Sequence, residues 1–282
     1  MNFRQIAILG GDKRQLFAAA RLEESGFHVY SAGFDRLESF GNLRLCSVDE
    51  ALSLCDVVLL PVTGAKGGEV VCPFSNKNIM LEDIAQGLRD KLVFAGKAES
   101  FKGIDVIDIL KDESFSEKNA LPTAEGALLT AMENYEGDIA GCDALVIGYG
   151  RIGKTLSRLL RAVKARVSVS TRGEEKAEKI ILDGNTPINT SSLKTLSGYD
   201  IVFNTADALV IDGNILMNTD GDPLIIDLAS IPGGVDFKSA RELGFCVVHA
   251  LALPARYSPL SAGRAVSDTV IKKLKEEFNW QA

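Results

Sequence analysis

The glycine turn Gly148-Tyr149-Gly150-Arg151-Ile152-Gly153 carries the strongest chemical signal in this sequence. It follows a short apolar run and opens a helical pattern. Gly148 permits a tight turn, Gly150 lets a pyrophosphate approach the backbone, and Gly153 lets the helix pack close to the strand. The helix N-terminus adds N–H groups and positive potential. Spaced glycines alone are weak evidence, but a strand before and a helix after make residues 142–172 a nucleotide-binding βαβ unit. Tyr149, Arg151 and Ile152 are grouped with that cofactor site.

Cofactor choice depends on the end of the next strand, about 20 residues beyond the first glycine. An acid there would bind the ribose hydroxyls of NAD. The strand ends instead in Ser170, Thr171 and Arg172. Hydroxyls with a guanidinium suit the 2′-phosphate of NADP, which Arg grips in bidentate fashion. The alternative leaves Arg172 as a solvated surface residue. NADP is the expectation, with NAD second. Asn204, Thr205 and Asp227 lie at later strand ends, on the carboxyl edge where open α/β sheets bind ligands. They either contact the nicotinamide side of a cofactor or simply cap helices and form turns.

Proton chemistry has few providers. His28 and His249 are the histidines of the chain. His28 opens a strand and reads as a packing residue. His249 ends the last strand of the nucleotide domain, just before LPARYSPLSAG (253–263), and is the candidate base. Within that segment Arg256, Ser258 and Ser261 suit a carboxylate, unless the segment is only a rigid connection. Lys13 and Arg14 offer a second anion site or a charged first helical turn, although cations there oppose the helix dipole. No Ser-His-Asp order, P-loop or metal-ligand cluster is apparent, so no metal is expected.

Alternating strands and helices must position these residues. Apolar, β-branched runs predict strands at 5–9, 28–30, 57–60, 92–95 and 105–109, with helices at 12–25 and 48–54. The second half repeats the pattern, with strands at 144–147, 166–170, 201–204, 224–227 and 246–249 and helices at 152–163, 174–182 and 237–243. Residues 63–77, rich in Gly, Lys, Pro and Asn, read as a long functional loop. A linker helix at 123–135 starts behind Pro122, with Ala124, Ala127, Leu128, Ala131, Met132 and Tyr135 as one buried stripe. The expected fold is α/β, two Rossmann-like doubly wound parallel-sheet domains joined by that helix. Residues 1–120 would form a substrate and catalytic domain, and 121–282 an NADP-binding domain that includes a C-terminal helix at 266–278. Gly10-Gly11-Asp12 lacks the third glycine, so the first domain is read without a second dinucleotide. Substrate is expected in the cleft between the domains.

Bulk properties agree. A length of 282 residues suits two domains. A net charge of −7 argues against a general nucleic-acid or membrane-surface binder. Five cysteines without CxxC spacing point to reduced thiols in a cytoplasmic protein. The N-terminal stretch does not read as a signal peptide, and no apolar run reaches the ~18 residues of a membrane span.

Taken in order, GGDKRQ (10–15), GFD (33–35), CPFSNKNI (72–79), PTAEGAL (122–128), GYGRIG (148–153), DLASIPGGVDF (227–237) and LPARYSPLSAG (253–263) resemble the family of the dipicolinate synthase A subunit, over essentially the whole chain. In the family the last motif usually reads LPGKxAPxxAG. Here Ala255 and Arg256 replace Gly and Lys, and Ser258 replaces Ala, so the charge is kept. The resemblance implies an enzyme of endospore-forming bacteria, working in the mother-cell cytoplasm during sporulation. Its substrate would be a cyclic dicarboxylate of the lysine pathway, 4-hydroxy-tetrahydrodipicolinate or its dihydro form, oxidised to dipicolinate. A flavoprotein-like B subunit is the implied partner, and a homo-oligomer is left open. Hydride removal on the way to an aromatic ring is nicotinamide chemistry. On this reading Arg14, Arg256 and N–H groups near Thr123, Glu125 and Gly126 hold the carboxylates, and His249 or a water takes the proton. Two other readings stay open. One is a two-domain dehydrogenase of 2-hydroxy or 2-amino acids; the other is a non-catalytic NADP-binding subunit that gates the B partner.

Overall fold

Short β-branched runs that are apolar on both faces are satisfied in parallel sheets covered by helices, and the chain builds that arrangement twice. The computed structural model describes residues 3–37 and 43–278. They divide into two units: one takes the chain up to Asn119 and again from Pro254, the other is Ala120–Leu253. The first opens with β1 (Gln5–Leu9), α1 (Lys13–Glu24), β2 (His28–Ala32), β3 (Arg44–Leu45), α2 (Val48–Leu54) and β4 (Val57–Leu59). An insert of β5 (Ala65–Lys66), β6 (Glu69–Val70) and β7 (Ile79–Met80) precedes α3 (Leu81–Leu88), β8 (Leu92–Ala95) and β9 (Ile107–Asp108). The main sheet is parallel in the order β3-β2-β1-β4-β8-β9.

α4 (Glu113–Asn134) carries the chain into the second unit. That unit contains β10 (Asp143–Ile147), α5 (Arg151–Ala162), β11 (Arg166–Thr171), α6 (Glu174–Leu182), β12 (Thr186–Asn189) and β13 (Ile201–Asn204). α7 (Gly213–Met217), β14 (Leu224–Asp227), α8 (Phe237–Leu243) and β15 (Val247–His249) complete its sheet, ordered β12-β11-β10-β13-β14-β15. Its pairings are likewise parallel. Both sheets thus have the 3-2-1-4-5-6 order of dinucleotide-binding folds. α9 (Leu253–Tyr257) and α10 (Pro259–Phe278) close the chain. Among the described residues no helix is long and apolar enough to cross a membrane.

Three expectations need correction. The segment at 63–77 is not structureless, because it folds into β5 and β6 around Gly67 and Gly68, both at positive φ. Two such residues are what a tight hairpin turn needs. The linker helix starts ten residues earlier than its proline suggested, since Asp112 supplies an N-cap: its Oδ1 accepts the Phe115 N–H at 3.0 Å. Pro122 lies inside that helix. Of the expected stripe, Ala124, Ala127 and Ala131 are buried, but Met132 is half exposed.

The third concerns the C-terminal helix, which belongs to the first unit and not to the nucleotide domain. α10 lies against α1, with Ala265, Val266, Val270 and Leu274 in one core with Leu16, Ala18, Ala19 and Leu22. The approach is close because Gly263 has no side chain: a Cβ there would lie 2.5 Å from the Arg14 carbonyl oxygen. LPARYSPLSAG is therefore not a connection but α9 and the first turns of α10.

Asp112 also holds α10. Its carboxylate lies 3.3 Å from Lys272 Nζ and 3.8 Å from Lys273 Nζ, on a side chain only 5% exposed. The Ser114 hydroxyl bond lowers its pKa from the ordinary 3.8 to about 2, helped by the Phe115 N–H and Lys272 and opposed by burial. A carboxylate held below its unfolded pKa stabilises the fold above about pH 4, and that contribution disappears as pH falls through about 2. Asp112→Asn should therefore flatten the loss of stability between pH 4 and 2. Urea midpoints measured across that range check it; an unchanged slope would contradict the assignment.

Candidate functional site

The turn after β10 has the geometry that its glycines call for. Gly148 sits at φ +97, a region that L side chains rarely adopt, and a Cβ there would lie 2.8 Å from Thr205 Oγ1. At Gly153 a Cβ would lie 2.0 Å from the Gly148 carbonyl oxygen, so only glycine lets α5 start so close to β10. Gly150 differs. It is the N-cap of α5 in extended backbone, no side chain caps that helix end, and a Cβ there would meet nothing within 4 Å. The first N–H groups of a helix need partners from outside it, and an open glycine backed by the helix dipole is a cradle for a phosphate. This fits the pyrophosphate of a dinucleotide. Thr205 supports the turn from behind, its hydroxyl donating to the Ile147 carbonyl at 2.9 Å.

Side chains between the glycines play smaller parts than expected. Tyr149 turns away: its hydroxyl donates to the Asp183 carboxylate at the end of α6. Burial and that bond push its pKa up to about 12. Only the Tyr149 backbone remains with the cradle. Ile152 is partly buried and Arg151 exposed in the first turn of α5.

At the end of β11, Ser170 is fully buried and receives a hydrogen bond from Thr190 Oγ1 at 3.0 Å, while its carbonyl accepts the Gly148 N–H. Thr171 is 7% exposed. Both side chains are buried at the strand end. Arg172 is exposed, and among the described residues it forms no ion pair. It is the group in this strip that remains for a phosphate.

The strand ends on the other side of the turn hold a polar row. Asn204, Asp227 and His249 are paired in register across β13, β14 and β15. Asn204 and Asp227 are fully buried, and Asn204 Nδ2 donates to Asp227 Oδ1 at 2.8 Å. Asp227 also accepts the Ala229 N–H at 3.1 Å and the Gly234 N–H at 2.8 Å. The side-chain bonds of both residues fasten the following loops, the turn-forming alternative of the two expected for this edge. His249 is partly exposed, with Nε2 2.8 Å from the Ala229 carbonyl and its ring centroid 5.0 Å from that of Phe237. A carbonyl only accepts, so Nε2 carries the proton and Nδ1 holds the lone pair in the neutral ring.

The expected carboxylate anchors fare unevenly. Arg14 is 6% exposed and bound to Asp12, with Nη2 2.7 Å and Nε 3.2 Å from Oδ2. The Asp12 carboxylate is the N-cap that answers the dipole conflict, and Gln15 completes a capping box. Thr123, Glu125 and Gly126 lie within α4, not at a helix start, so their N–H groups belong to the helix ladder. Arg256 is exposed over the Tyr257 ring at 4.8 Å, Ser258 directly precedes α10, and Ser261 is exposed in its first turn. All three lie in the first unit, with Arg14. The cradle, Arg172 and His249 lie in the second.

The equivalent turn in the first unit is closed by the chain itself. Gly11 N–H donates to the Val71 carbonyl at 2.7 Å, and a Cβ at Gly10 would lie 2.2 Å from Cys72 Sγ. Sequence reading missed this plug, since residues 71–72 lie far along the chain from the glycines they cover. Among the described residues no group of three or more His, Cys, Asp or Glu is placed to hold a metal ion.

Comparison with known proteins gives a consistent result. Residues 5–102 match the model of the N-terminal domain of the dipicolinate synthase A subunit. The chain is 30% identical to the dipicolinate synthase A subunit of Bacillus subtilis (strain 168), over 96% of each chain. The crystal structure of the dipicolinate synthase A subunit from Bacillus halodurans superposes with a TM-score of 0.87 at 30% identity, covering 97% of this chain and 98% of that one. Its Bacillus subtilis counterpart gives 0.84 at 29%, covering 99% and 98%. A transhydrogenase from Sinorhizobium meliloti shares the fold, at a TM-score of 0.70, 16% identity and 96% and 94% coverage.

The glycines make separable predictions. Gly150→Ala should fold normally, because its backbone is extended and its surroundings open, yet weaken dinucleotide binding at least tenfold by filling the cradle. Gly153→Ala should cost about 1–3 kcal/mol of stability through overpacking against the Gly148 carbonyl. Thermal unfolding alongside dinucleotide titration tests both, and wild-type binding by Gly150→Ala would remove the cradle from consideration.

Proposed function

The chain belongs to the family of the dipicolinate synthase A subunit, and on that premise we propose an oxidoreductase that uses a nicotinamide dinucleotide, NADP in preference to NAD, to oxidise a cyclic dicarboxylate to dipicolinate. One observation carries the reading. In a parallel sheet of 3-2-1-4-5-6 order, the helix after the first strand begins at an open glycine with no side-chain cap. When bound, a nicotinamide ring supplies the hydride acceptor.

The chain's own residues then have distinct tasks. Backbone N–H groups of Gly150 and the first turn of α5 hold the pyrophosphate. Arg172 binds the 2′-phosphate as a charge-assisted pair. His249 takes the ring proton at Nδ1 while Nε2 stays bound to the Ala229 carbonyl. Arg256, Ser258 and Ser261 are the carboxylate-binding groups proposed for the first unit. The substrate is the lysine-pathway ring dicarboxylate, oxidised in its dihydro form or in its hydroxy-tetrahydro form after that form loses water, and the partner is the flavoprotein-like B subunit. The setting is the mother-cell cytoplasm of a sporulating bacterium.

The decisive assay follows dipicolinate formation from that intermediate with NADP, with and without the B subunit. Product from the chain alone assigns the oxidation to it. Dinucleotide binding by the chain alone, with product formed only when the B subunit is added, would favour a gating role instead. Arg172→Ala should remove about 1.5–3 kcal/mol of charged hydrogen bonding, weakening NADP roughly 10- to 100-fold and leaving NAD nearly unchanged. Equal losses for both cofactors contradict the preference. His249→Gln keeps a donor for the Ala229 carbonyl but no basic nitrogen, and should lower kcat by about 10²–10⁴ at unaltered cofactor affinity.

A further inference from the structure

We infer that Asp227 positions the His249 imidazole, acting through the backbone of Ala229. The inference rests on His249 being the base. Asp227 Oδ1 accepts the Ala229 N–H, and the Ala229 carbonyl accepts His249 Nε2–H. Asn204 Nδ2 anchors the same carboxylate oxygen from the neighbouring strand. The chain of bonds thus runs from the strand end beside the glycine turn to the imidazole. Phe237 packs on the ring and fixes its plane.

Asp227 is an expensive way to hold a loop. It is fully buried, and among the described residues no cationic side chain pairs with it. A buried carboxylate carries a desolvation penalty that apolar packing would avoid. What a carboxylate provides here is acceptance of several N–H groups at once: Asn204, Ala229 and Gly234. The loop is built around it, since a Cβ at Gly233 would lie 2.6 Å from Asp227 Oδ2 and one at Gly234 only 2.0 Å from Asn204 Nδ2. Held this way, the turn at 227–229 aims one carbonyl at one nitrogen of His249. That bond selects the tautomer with the lone pair on Nδ1, leaving that nitrogen as the basic one. On this reading Asp227 acts on the base through the Ala229 backbone, as a positioning residue.

Asp227→Asn keeps the volume but sets an amide N–H against N–H groups that now meet a carboxylate, so the Ala229 peptide must move. The test is a double-mutant cycle in dipicolinate formation with the B subunit present, together with 15N chemical shifts of the histidine rings. The chain has only two histidines, and His28, in the other unit, serves as the internal control. We expect Asp227→Asn to lower kcat by roughly 10- to 100-fold, the scale of a misplaced group, with NADP affinity unchanged. In the His249→Gln background it should add nothing. The His249 signals should leave the pure Nε2–H pattern while His28 stays put.

Equal losses from Asp227→Asn in both backgrounds, or an unmoved His249 tautomer, would overturn the inference and leave a loop fastener. If Asp227→Asn does not fold, Asn204→Ser removes one donor to the carboxylate and should give a smaller loss with the same non-additivity; an additive loss again overturns it. Should His249→Gln retain wild-type kcat, the base assignment fails instead, and the 15N shifts alone still decide whether Asp227 sets the ring.

Discussion

An α-helix leaves its first N–H groups without partners inside the helix, and this chain answers that demand in opposite ways in its two units. At α1 the answer is internal. Asp12 caps the helix, Gln15 reaches back to it, and Arg14 neutralises the carboxylate from within the first turn. Val71 and Cys72 then close over the two glycines of the turn. At α5 the cap is a bare glycine, with no acidic residue in the first turn. The same sheet order therefore gives a turn satisfied by protein and a turn built for an anion. A helix end left unsatisfied by its own chain is a cost in folding, and it is recovered when a phosphate binds.

The carboxyl edge beyond that turn is organised by buried polar groups instead of apolar ones. Asn204 and Asp227 occupy core positions on β13 and β14, above Val202 and Ile225 of the same sheet. Apart from the bond between them, their side-chain bonds go to loops: Ala206 through Asn204, and Ala229 and Gly234 through Asp227. The Gly234 carbonyl in turn accepts the N–H groups of Val210 and Ile211. Loops that would otherwise be mobile become parts of one hydrogen-bonded edge, and a satisfied polar network specifies one geometry where apolar packing tolerates several.

How far these features were legible follows from the range of the forces involved. Strands at 5–9, 92–95, 201–204 and 224–227 and the helix at 48–54 fall where periodicity put them, because the pattern of buried residues is local. The glycine turn was legible too: Gly153 is set by the Gly148 carbonyl within one βαβ unit, although Thr205, which crowds Gly148, comes from a later strand end. Asp112 overrode the proline signal, since a cap acts on the residues after it and Pro122 lies beyond the first turns. Arg14 read as an anion site because its partner, two residues earlier, looked like part of a turn. Asp227 read equally as a ligand group or a turn former for a related reason. A polar residue at a strand end looks the same in sequence whether it faces solvent or Asn204. The allegiance of α10 was out of reach, since its partner α1 lies more than two hundred residues away.

The relatives match along nearly the whole chain, but the domain model and the nucleotide cradle fall in different units. The matched domain model covers residues 5–102, all within the first unit. The motifs there fasten to one another: Gly11 to Val71, Asp35 to Ser75 at 2.9 Å, and Phe34 against Phe74 at 6.5 Å. They encode a closed turn. The open cradle is in the other unit, within a fold shared at 16% identity with a transhydrogenase. Arg172 lies outside all the motifs that carry the resemblance. A relative could exchange it for an acid and keep every fastening contact of the first unit. Cofactor preference is therefore a property to be argued from this chain's own strand end, where one exposed guanidinium stands beside two buried hydroxyls.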